Sequence, residues 1–169
     1  LKPLKGKHVF LAAATLRPET MYGQTNCWIL PEGEYGAYEL KSKEVFVMAE
    51  RAALNLSYQE QFEEEGKPKL LCTMKGSELM GCSVKAPNAV LEKIYVLPML
   101  TISMTKGTGV VTSVPSDSPD DFMALSDLKS KEALRAKFNV KDEWVVPFEV
   151  IPIINIPVSY THLTLPTSV

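Results

Sequence analysis

The sequence is poor in the residues that build metal centres and disulfide frameworks. Its 169 residues include three cysteines and two histidines. Cys27, Cys72 and Cys82 are widely spaced, and none belongs to a C-x-x-C pair. Structural zinc needs four clustered nitrogen or sulfur ligands, and a disulfide scaffold needs a dense, even set of cysteines. We therefore expect no metal site, and the odd cysteine count fits a reducing cytosol.

Long apolar runs and a strong net charge are also lacking. The formal net charge is −2, which argues against a protein that coats nucleic acid by bulk electrostatics. A site that takes only the end of a nucleic acid remains compatible with that charge. No apolar stretch reads as a signal peptide or a membrane span, so we expect a cytoplasmic protein without membrane contacts. What the chain has is ordinary globular composition, 46% hydrophobic and 22% charged, enough for one domain with a core.

Hydrophobic patterning and twelve prolines predict many short elements. Residues 60–69 are polar and predict a solvated loop or insertion. Strands and helices of this kind favour an α+β, mostly β fold, centred on a β-barrel or strongly curved sheet with peripheral helices. Strands are predicted at residues 8–14, 25–30, 45–49, 84, 94–104 and 110–114, short strands at bends over 145–156, and helices at 50–58, 119–128 and 131–138.

The first segment that could carry chemistry is T-L-R-P-E-T, residues 15–20, directly after the first predicted strand. A strand-to-turn junction can aim hydroxyls and free backbone N–H groups into a pocket. The Arg17 guanidinium can form a fork with a phosphate or carboxylate. The alternative is structural: Thr15 ends the strand, Thr20 lies in a short turn begun by Pro18, and Arg17 pairs with a local acid.

The second segment is K-G-T-G-V-V-T-S-V-P-S-D-S-P-D-D, residues 106–121. A glycine-flanked turn leads into a strand that ends where a helix begins, and three acidic residues crowd that helix N-terminus. The structural alternative is again clear. Ser118-x-x-Asp121 matches a capping box, and carboxylates at a helix start interact favourably with the helix dipole.

Taken together, the two segments resemble the editing domain of eukaryotic-type cytosolic leucyl-tRNA synthetases. The flanking sequences M-Y-G-Q-T-N-C-W (residues 21–28) and I-Y-V-L-P-M-L-T-I (residues 94–102) support the same family. The resemblance covers residues 4–157 and is weakest between residues 33 and 93. It implies a fragment of a leucine--tRNA ligase whose local activity is hydrolysis of the ester in misacylated tRNA(Leu), for example with isoleucine or norvaline.

The resemblance also assigns roles to individual residues. Thr15 and Asp121 are expected to be catalytic, with Thr15 near the ester and its attacking water and Asp121 holding the α-ammonium of the substrate. Arg17 is expected to hold the terminal nucleotide, and Thr20 to exclude leucine by pressing on its side chain. Four further substrate-binding residues are expected to line the pocket beneath: Lys106, Gly107, Thr108 and Gly109.

The same resemblance sets the partners and the cofactors. The expected partners are the tRNA(Leu) acceptor end, the misacylated amino acid and the rest of the synthetase chain. No cofactor is expected in this domain, whereas ATP and Mg belong to the aminoacylation part of the parent enzyme. Two alternatives remain open: the editing domain of a valyl-tRNA synthetase, and a non-catalytic module that binds the tRNA acceptor end.

The sequence also suggests boundaries. Residues 1–157 are interpreted as a partial editing domain, truncated at both ends, and residues 158–169 as a non-native tail because the Ser/Thr/Leu-rich stretch lacks periodicity. We expect such a segment to be weakly active or inactive without the rest of the synthetase.

Overall fold

Eight short strands and four α-helices make up residues 2–152, the part of the chain that this computed structural model describes. The strands are β1 (Val9–Leu11), β2 (Asn26–Ile29), β3 (Glu34–Glu39), β4 (Val45–Met48), β5 (Lys69–Lys75), β6 (Ser83–Val84), β7 (Ile94–Pro98) and β8 (Val110–Ser113). The helices are α1 (Glu50–Ser57), α2 (Gly76–Leu79), α3 (Pro119–Ser130) and α4 (Glu132–Lys137). Short 3-10 helices occupy Lys2–Leu4, Pro18–Gly23 and Asp142–Trp144.

The strands form two mixed four-stranded sheets. Their orders are β1-β4-β3-β5 and β6-β7-β2-β8, with β1/β4 and β2/β7 parallel and the other pairs antiparallel. A closed barrel needs each strand hydrogen bonded on both sides. Among residues 2–152, β1, β5, β6 and β8 each pair on one side only, so the predicted barrel centre is not supported. The broader α+β prediction is confirmed.

The two sheets face each other across a shared core, which follows from the two-residue alternation of strand side chains. On β2, Cys27 and Ile29 point into this core, where they meet Ala37 of β3, Val47 of β4 and Val96 of β7. The intervening Trp28 of β2 and Leu97 of β7 belong to a different cluster on the outer face of their sheet. Both faces of the central strands are therefore buried.

Helices cover the outer faces of both sheets. Helices α3 and α4 bring Leu125, Leu128 and Leu134 against Trp28. Helix α1 brings Ala53 against a second outer cluster that contains Tyr38. Within residues 2–152, none of the helices has the length and apolar character needed to cross a membrane.

The sequence predictions for local structure have a mixed outcome. Strands β1, β2, β4, β6, β7 and β8 and helices α1, α3 and α4 lie where they were expected, and Pro18 begins a 3-10 helix. The predicted extension of β7 to residue 104 is wrong, because the strand ends at Pro98. The short strands predicted over residues 145–156 are not observed up to residue 152: residues 145–147 form a turn, and residues 148–152 have no regular secondary structure. Residues 153–156 and the proposed tail at 158–169 lie outside the described part of the chain.

Strands β3 and β5 were missed by the sequence reading. Strand β3 contains Gly36, and an added Cβ there would clash with the Tyr38 ring. That glycine is required by packing, although glycine normally signals a weak strand. Strand β5 has the sequence K-L-L-C-T-M-K, in which apolar and polar residues do not alternate regularly, so its pattern did not indicate a strand.

The cysteines differ in their surroundings. Cys27 is 4% exposed, and burial raises the pKa of its thiol to about 12. Cys82 is exposed, although partial burial also raises the pKa of its thiol above the usual value. Since the thiolate is the reactive form, Cys27 is chemically inert in the folded protein.

One buried carboxylate is neutralised from two sides. Glu39 of β3 is 6% exposed and forms ion pairs with Lys69 of β5 and with Lys7. Both lysines also donate hydrogen bonds to the carboxylate. The bond from Lys69 has the largest effect and that from Lys7 the next, and together they lower the pKa of Glu39 to about 2. The ion pair with Lys7 links the segment before β1 to β3, and the ion pair with Lys69 links β3 to the edge strand β5.

We expect Glu39→Gln to reduce the sensitivity of the fold to acid. A carboxylate with a depressed pKa in the folded state contributes stability that is fully present above the pKa of the unfolded chain and is lost as pH falls toward 2. Thermal unfolding between pH 6 and pH 2 should show a smaller loss of Tm for the variant than for the wild type. Parallel losses in the two proteins would contradict this role of Glu39.

Candidate active site

The two segments singled out in the sequence meet at one cavity of about 420 Å³. The first segment contributes Thr15, Arg17 and Thr20, and the second contributes Asp117 and Asp121. The remaining lining residues are Ala14, Leu16, Thr112, Val114 and Ser118. The fold therefore brings together side chains that are about a hundred positions apart in the sequence.

Local hydrogen bonds fix the conformation of the first segment. The Thr15 Oγ1 accepts the Arg17 backbone N–H at 3.1 Å, and the Thr20 Oγ1 donates to the Arg17 carbonyl at 2.7 Å. The Thr20 backbone N–H binds the same carbonyl, and Pro18 starts the following 3-10 helix. Both threonines are thus held in place while their side chains line the cavity.

The Arg17 side chain is exposed and free of protein partners among residues 2–152: no hydrogen bond or ion pair there engages its guanidinium. The structural alternative, in which Arg17 pairs with a local acid, is therefore not observed. A guanidinium with five unsatisfied donors at a cavity is suited to an anionic ligand.

Asp121 lies at the start of α3 but does not act as a helix cap. It is 8% exposed, and its Oδ1 accepts the indole N–H of Trp28 at 2.8 Å. Its Oδ2 accepts the backbone N–H of Val114 at 3.0 Å. Only half of the predicted capping box forms, because Ser118 Oγ accepts the Asp121 N–H while the Asp121 carboxylate turns away toward β2 and β8.

The Lys106–Gly109 turn lies apart from this cavity. Gly107 and Thr108 line a neighbouring cavity of about 370 Å³ together with α1 residues such as Arg51. Ala14 lines both cavities, so the two are adjacent. Lys106 and Gly109 line neither; Gly109 is buried, and its carbonyl accepts the Tyr35 hydroxyl at 2.7 Å.

Two features of the site were not found in the sequence. Thr112 and Val114 line the cavity because β8 ends beside it, and Trp28 reaches Asp121 from the neighbouring strand. The contact of Trp28 with the site could have been inferred from its position in β2. Side chains alternate along a strand, so Trp28 lies on the face opposite Cys27, which is the face covered by α3. Within residues 2–152, no group of three or more His, Cys, Asp and Glu side chains is arranged to hold a metal ion.

Comparisons with known proteins place the chain in a family. It is 60% identical over 153 residues to the cytoplasmic leucine--tRNA ligase of Dictyostelium discoideum, and 61% identical over 157 residues to that of Arabidopsis thaliana. The chain belongs to the leucyl-tRNA synthetase family. These matches cover 90% and 93% of the chain, whereas the chain spans 14% of the length of each relative.

Solved structures locate this leucyl-tRNA synthetase segment within the enzyme. The structure described as GlLeuRS-CP1 matches 85% of the chain with a TM-score of 0.82 at 44% identity, and the match covers 53% of that structure. The cytosolic leucyl-tRNA synthetase editing domain of P. knowlesi matches 85% of the chain with a TM-score of 0.76 at 29% identity, covering 58% of that domain. The segment corresponds to part of the CP1 editing domain, as the motifs predicted. No protein-family model matches the chain.

Proposed function

We propose that this segment carries the post-transfer editing site of a leucine--tRNA ligase, where the ester of misacylated tRNA(Leu) is hydrolysed. The observation that carries the proposal is the convergence of residues 15–20 and the α3 N-terminus on one cavity, with the buried Asp121 in its wall. The valyl alternative gains no support from the relatives described above, which are leucine enzymes. A purely binding module remains an outcome of the test.

The chemistry available at the cavity fits direct attack by water. No histidine or cysteine is among the lining residues, so the site offers no strong side-chain nucleophile or imidazole base. The Thr15 oxygen already accepts the Arg17 N–H, which leaves its hydroxyl proton to donate to a water molecule or to the substrate. We assign Thr15 to orienting the attacking water, helped by the neighbouring ribose hydroxyl of the tRNA.

Two backbone donors are candidates for stabilising the oxyanion of the tetrahedral intermediate. Among residues 2–152, the N–H groups of Thr15 and Leu16 have no protein acceptor. Both residues line the cavity, and Leu16 is fully exposed. Fixed N–H donors aimed at a developing negative charge are a common source of transition-state stabilisation.

The remaining assignments concern recognition. Asp121 would bind the α-ammonium of the amino acid, and Thr20 would exclude leucine by shape. Arg17 would bind the terminal nucleotide of the tRNA(Leu) acceptor end. Selection by fit alone gives only about 1–3 kcal/mol per methylene, so a second pocket that rejects leucine multiplies the accuracy of charging. Aminoacylation with ATP and Mg would belong to other parts of the synthetase, with which this segment would work in the cytoplasm.

The Lys106–Gly109 turn keeps a proposed role in substrate binding through the neighbouring cavity. Gly107 and Thr108 line that cavity, and the exposed Lys106 lies next to them in sequence. Gly109 would contribute indirectly, since its carbonyl fixes Tyr35 beneath the turn.

The deciding experiment measures deacylation of Ile-tRNA(Leu) by a full-length leucine--tRNA ligase that carries this segment. We expect hydrolysis well above the spontaneous rate, and much slower hydrolysis of Leu-tRNA(Leu). Retained leucylation of tRNA(Leu) shows that the preparation is folded. Tight binding of Ile-tRNA(Leu) with no hydrolysis would instead favour the non-catalytic module.

Arg17→Ala should weaken binding of the tRNA end without changing the choice of amino acid. A guanidinium interacts with phosphate rather than with aliphatic shape, and a charge-assisted contact of this kind corresponds to roughly a tenfold effect or more. We expect KM for Ile-tRNA(Leu) to rise by about tenfold while the ratio of isoleucine to norvaline deacylation stays constant.

Arg17→Lys is the matched control, because it retains the charge and removes the fork. An intermediate KM is expected for this variant. A change in the isoleucine to norvaline ratio with an unaltered KM would show that Arg17 acts on the amino acid instead.

A further inference from the structure

The buried indole of Trp28 is hydrogen bonded to the carboxylate that the editing reaction needs. Trp28 is fully buried, with 0% exposure, in the centre of the β6-β7-β2-β8 sheet. Its Nε1 donates to Asp121 Oδ1 at 2.8 Å, a buried contact between residues 93 positions apart. Buried indole N–H groups usually have a partner, and here the partner is charged.

The two contacts of Asp121 leave it one orientation. Trp28 Nε1 and the Val114 backbone N–H are both donors without acceptor capacity, and each holds a different carboxylate oxygen. A carboxylate has about four acceptor positions, so two remain for a ligand in the cavity that Asp121 lines. Rotation about the side-chain torsions would break at least one of these bonds.

We infer that Trp28 is a positioning residue for ammonium recognition: its indole N–H orients the Asp121 carboxylate toward the α-ammonium of the misacylated amino acid. This inference rests on the proposed editing function and extends it to the strand behind the site. Trp28 itself lies on the outer face of its sheet and is not among the residues that line the cavity. It acts on the substrate through Asp121 only.

Trp28 also packs in a hydrophobic cluster, so a test must separate the hydrogen bond from the packing. Trp28→Phe and Trp28→Tyr remove the indole N–H and retain an aromatic ring. Leu97→Val is the matched packing control, because Leu97 is the parallel partner of Trp28 on β7, lies in the same cluster and is equally buried. Leu97 has an apolar side chain and makes no hydrogen bond to Asp121.

The readout compares two esters in the full-length leucine--tRNA ligase that carries this segment, under single-turnover conditions. One substrate is Ile-tRNA(Leu), and the other is its 2-hydroxy analogue, in which a hydroxyl replaces the α-amino group. The wild type should prefer the amino ester. Trp28→Phe and Trp28→Tyr should reduce that preference roughly tenfold, the effect of one charge-assisted hydrogen bond, while Leu97→Val leaves it unchanged.

Each other outcome overturns the inference. Equal losses on both esters, or a reduced preference in Leu97→Val as well, would mean that Trp28 acts through packing. An unchanged preference in both Trp28 variants would mean that the Val114 N–H alone orients Asp121. A wild type inactive on both esters would overturn the proposed function itself, and an active wild type with unaffected variants would overturn only the assignment of Trp28.

Discussion

Replacing Asp121 with alanine is expected to abolish editing of every misacylated amino acid and to destabilise the fold as well. The substitution removes the proposed ammonium ligand. A charge-assisted bond of about 1.5–3 kcal/mol corresponds to a loss of about 10- to 150-fold, and the loss is larger when the bond is desolvated. The substitution also leaves the Trp28 indole and the Val114 amide without their acceptor. Two buried unsatisfied donors at about 1–3 kcal/mol each should lower the free energy of unfolding by about 2–6 kcal/mol.

Asp120→Ala is the matched control: it removes one negative charge from the same helical turn without removing the Asp121 carboxylate. Asp120 is the neighbouring carboxylate in the first turn of α3, is exposed and lines a different groove between α3 and the chain after β7. We expect near wild-type deacylation of Ile-tRNA(Leu) and a small change in Tm from this variant. If Asp121→Ala deacylated at a rate close to that of Asp120→Ala, the carboxylate of Asp121 would be structural and no more.

Replacing Thr20 with alanine should increase an activity instead of abolishing one: the variant should hydrolyse correctly charged Leu-tRNA(Leu). Thr20 lines the cavity, and its hydroxyl is engaged by the Arg17 carbonyl at 2.7 Å. Loss of the side chain should open room for leucine, so hydrolysis of Leu-tRNA(Leu) should accelerate by about tenfold or more, the range that one methylene group can discriminate. The measurement is the rate of Leu-tRNA(Leu) deacylation and the yield of leucylated tRNA.

Two further variants identify which part of Thr20 excludes leucine. Thr20→Val keeps the shape and removes the hydroxyl, so it should continue to reject leucine. Thr20→Ser keeps the bond to the Arg17 carbonyl and removes the methyl group, so it should admit leucine in part. Rapid loss of Leu-tRNA(Leu) in Thr20→Val but not in Thr20→Ala would refute exclusion by shape.

Local pattern was sufficient for much of the fold. Strands such as β2 and β4 are short apolar runs between turn residues, and α3 has a proline and acidic residues in its first turn, so each is determined by its own sequence. Strand β3 is determined instead by its neighbours, since Gly36 accommodates the ring of Tyr38. The arrangement of strands into two stacked sheets depends on long-range pairing, which a single sequence does not encode in any local window.

The site shows the same division. Thr15, Arg17, Thr20 and Asp121 were predicted from motifs, and the fold brings all four to one cavity. The resemblance predicts that residues 106–109 line the pocket beneath, whereas Gly107 and Thr108 line the adjacent cavity, and Lys106 and Gly109 line neither. Ala14 lines both cavities, and the position of the turn directly before β8 in the sequence does not indicate which of the two cavities the turn lines.

The buried Cys27 thiol of β2 can report how often the core of the protein opens. This thiol is 4% exposed, and burial raises its pKa, so we expect alkylation only when the sheet separates. The half-buried Cys72 and the exposed Cys82 are blocked beforehand in the native state. The labelling rate of Cys27 at a chosen pH therefore measures how often the core opens, as amide hydrogen exchange does for a backbone group. Because Cys27 is the residue before Trp28, ligands that hold Asp121 in place should slow that rate, and the logarithm of the rate should fall in proportion to the stabilisation free energy that they supply.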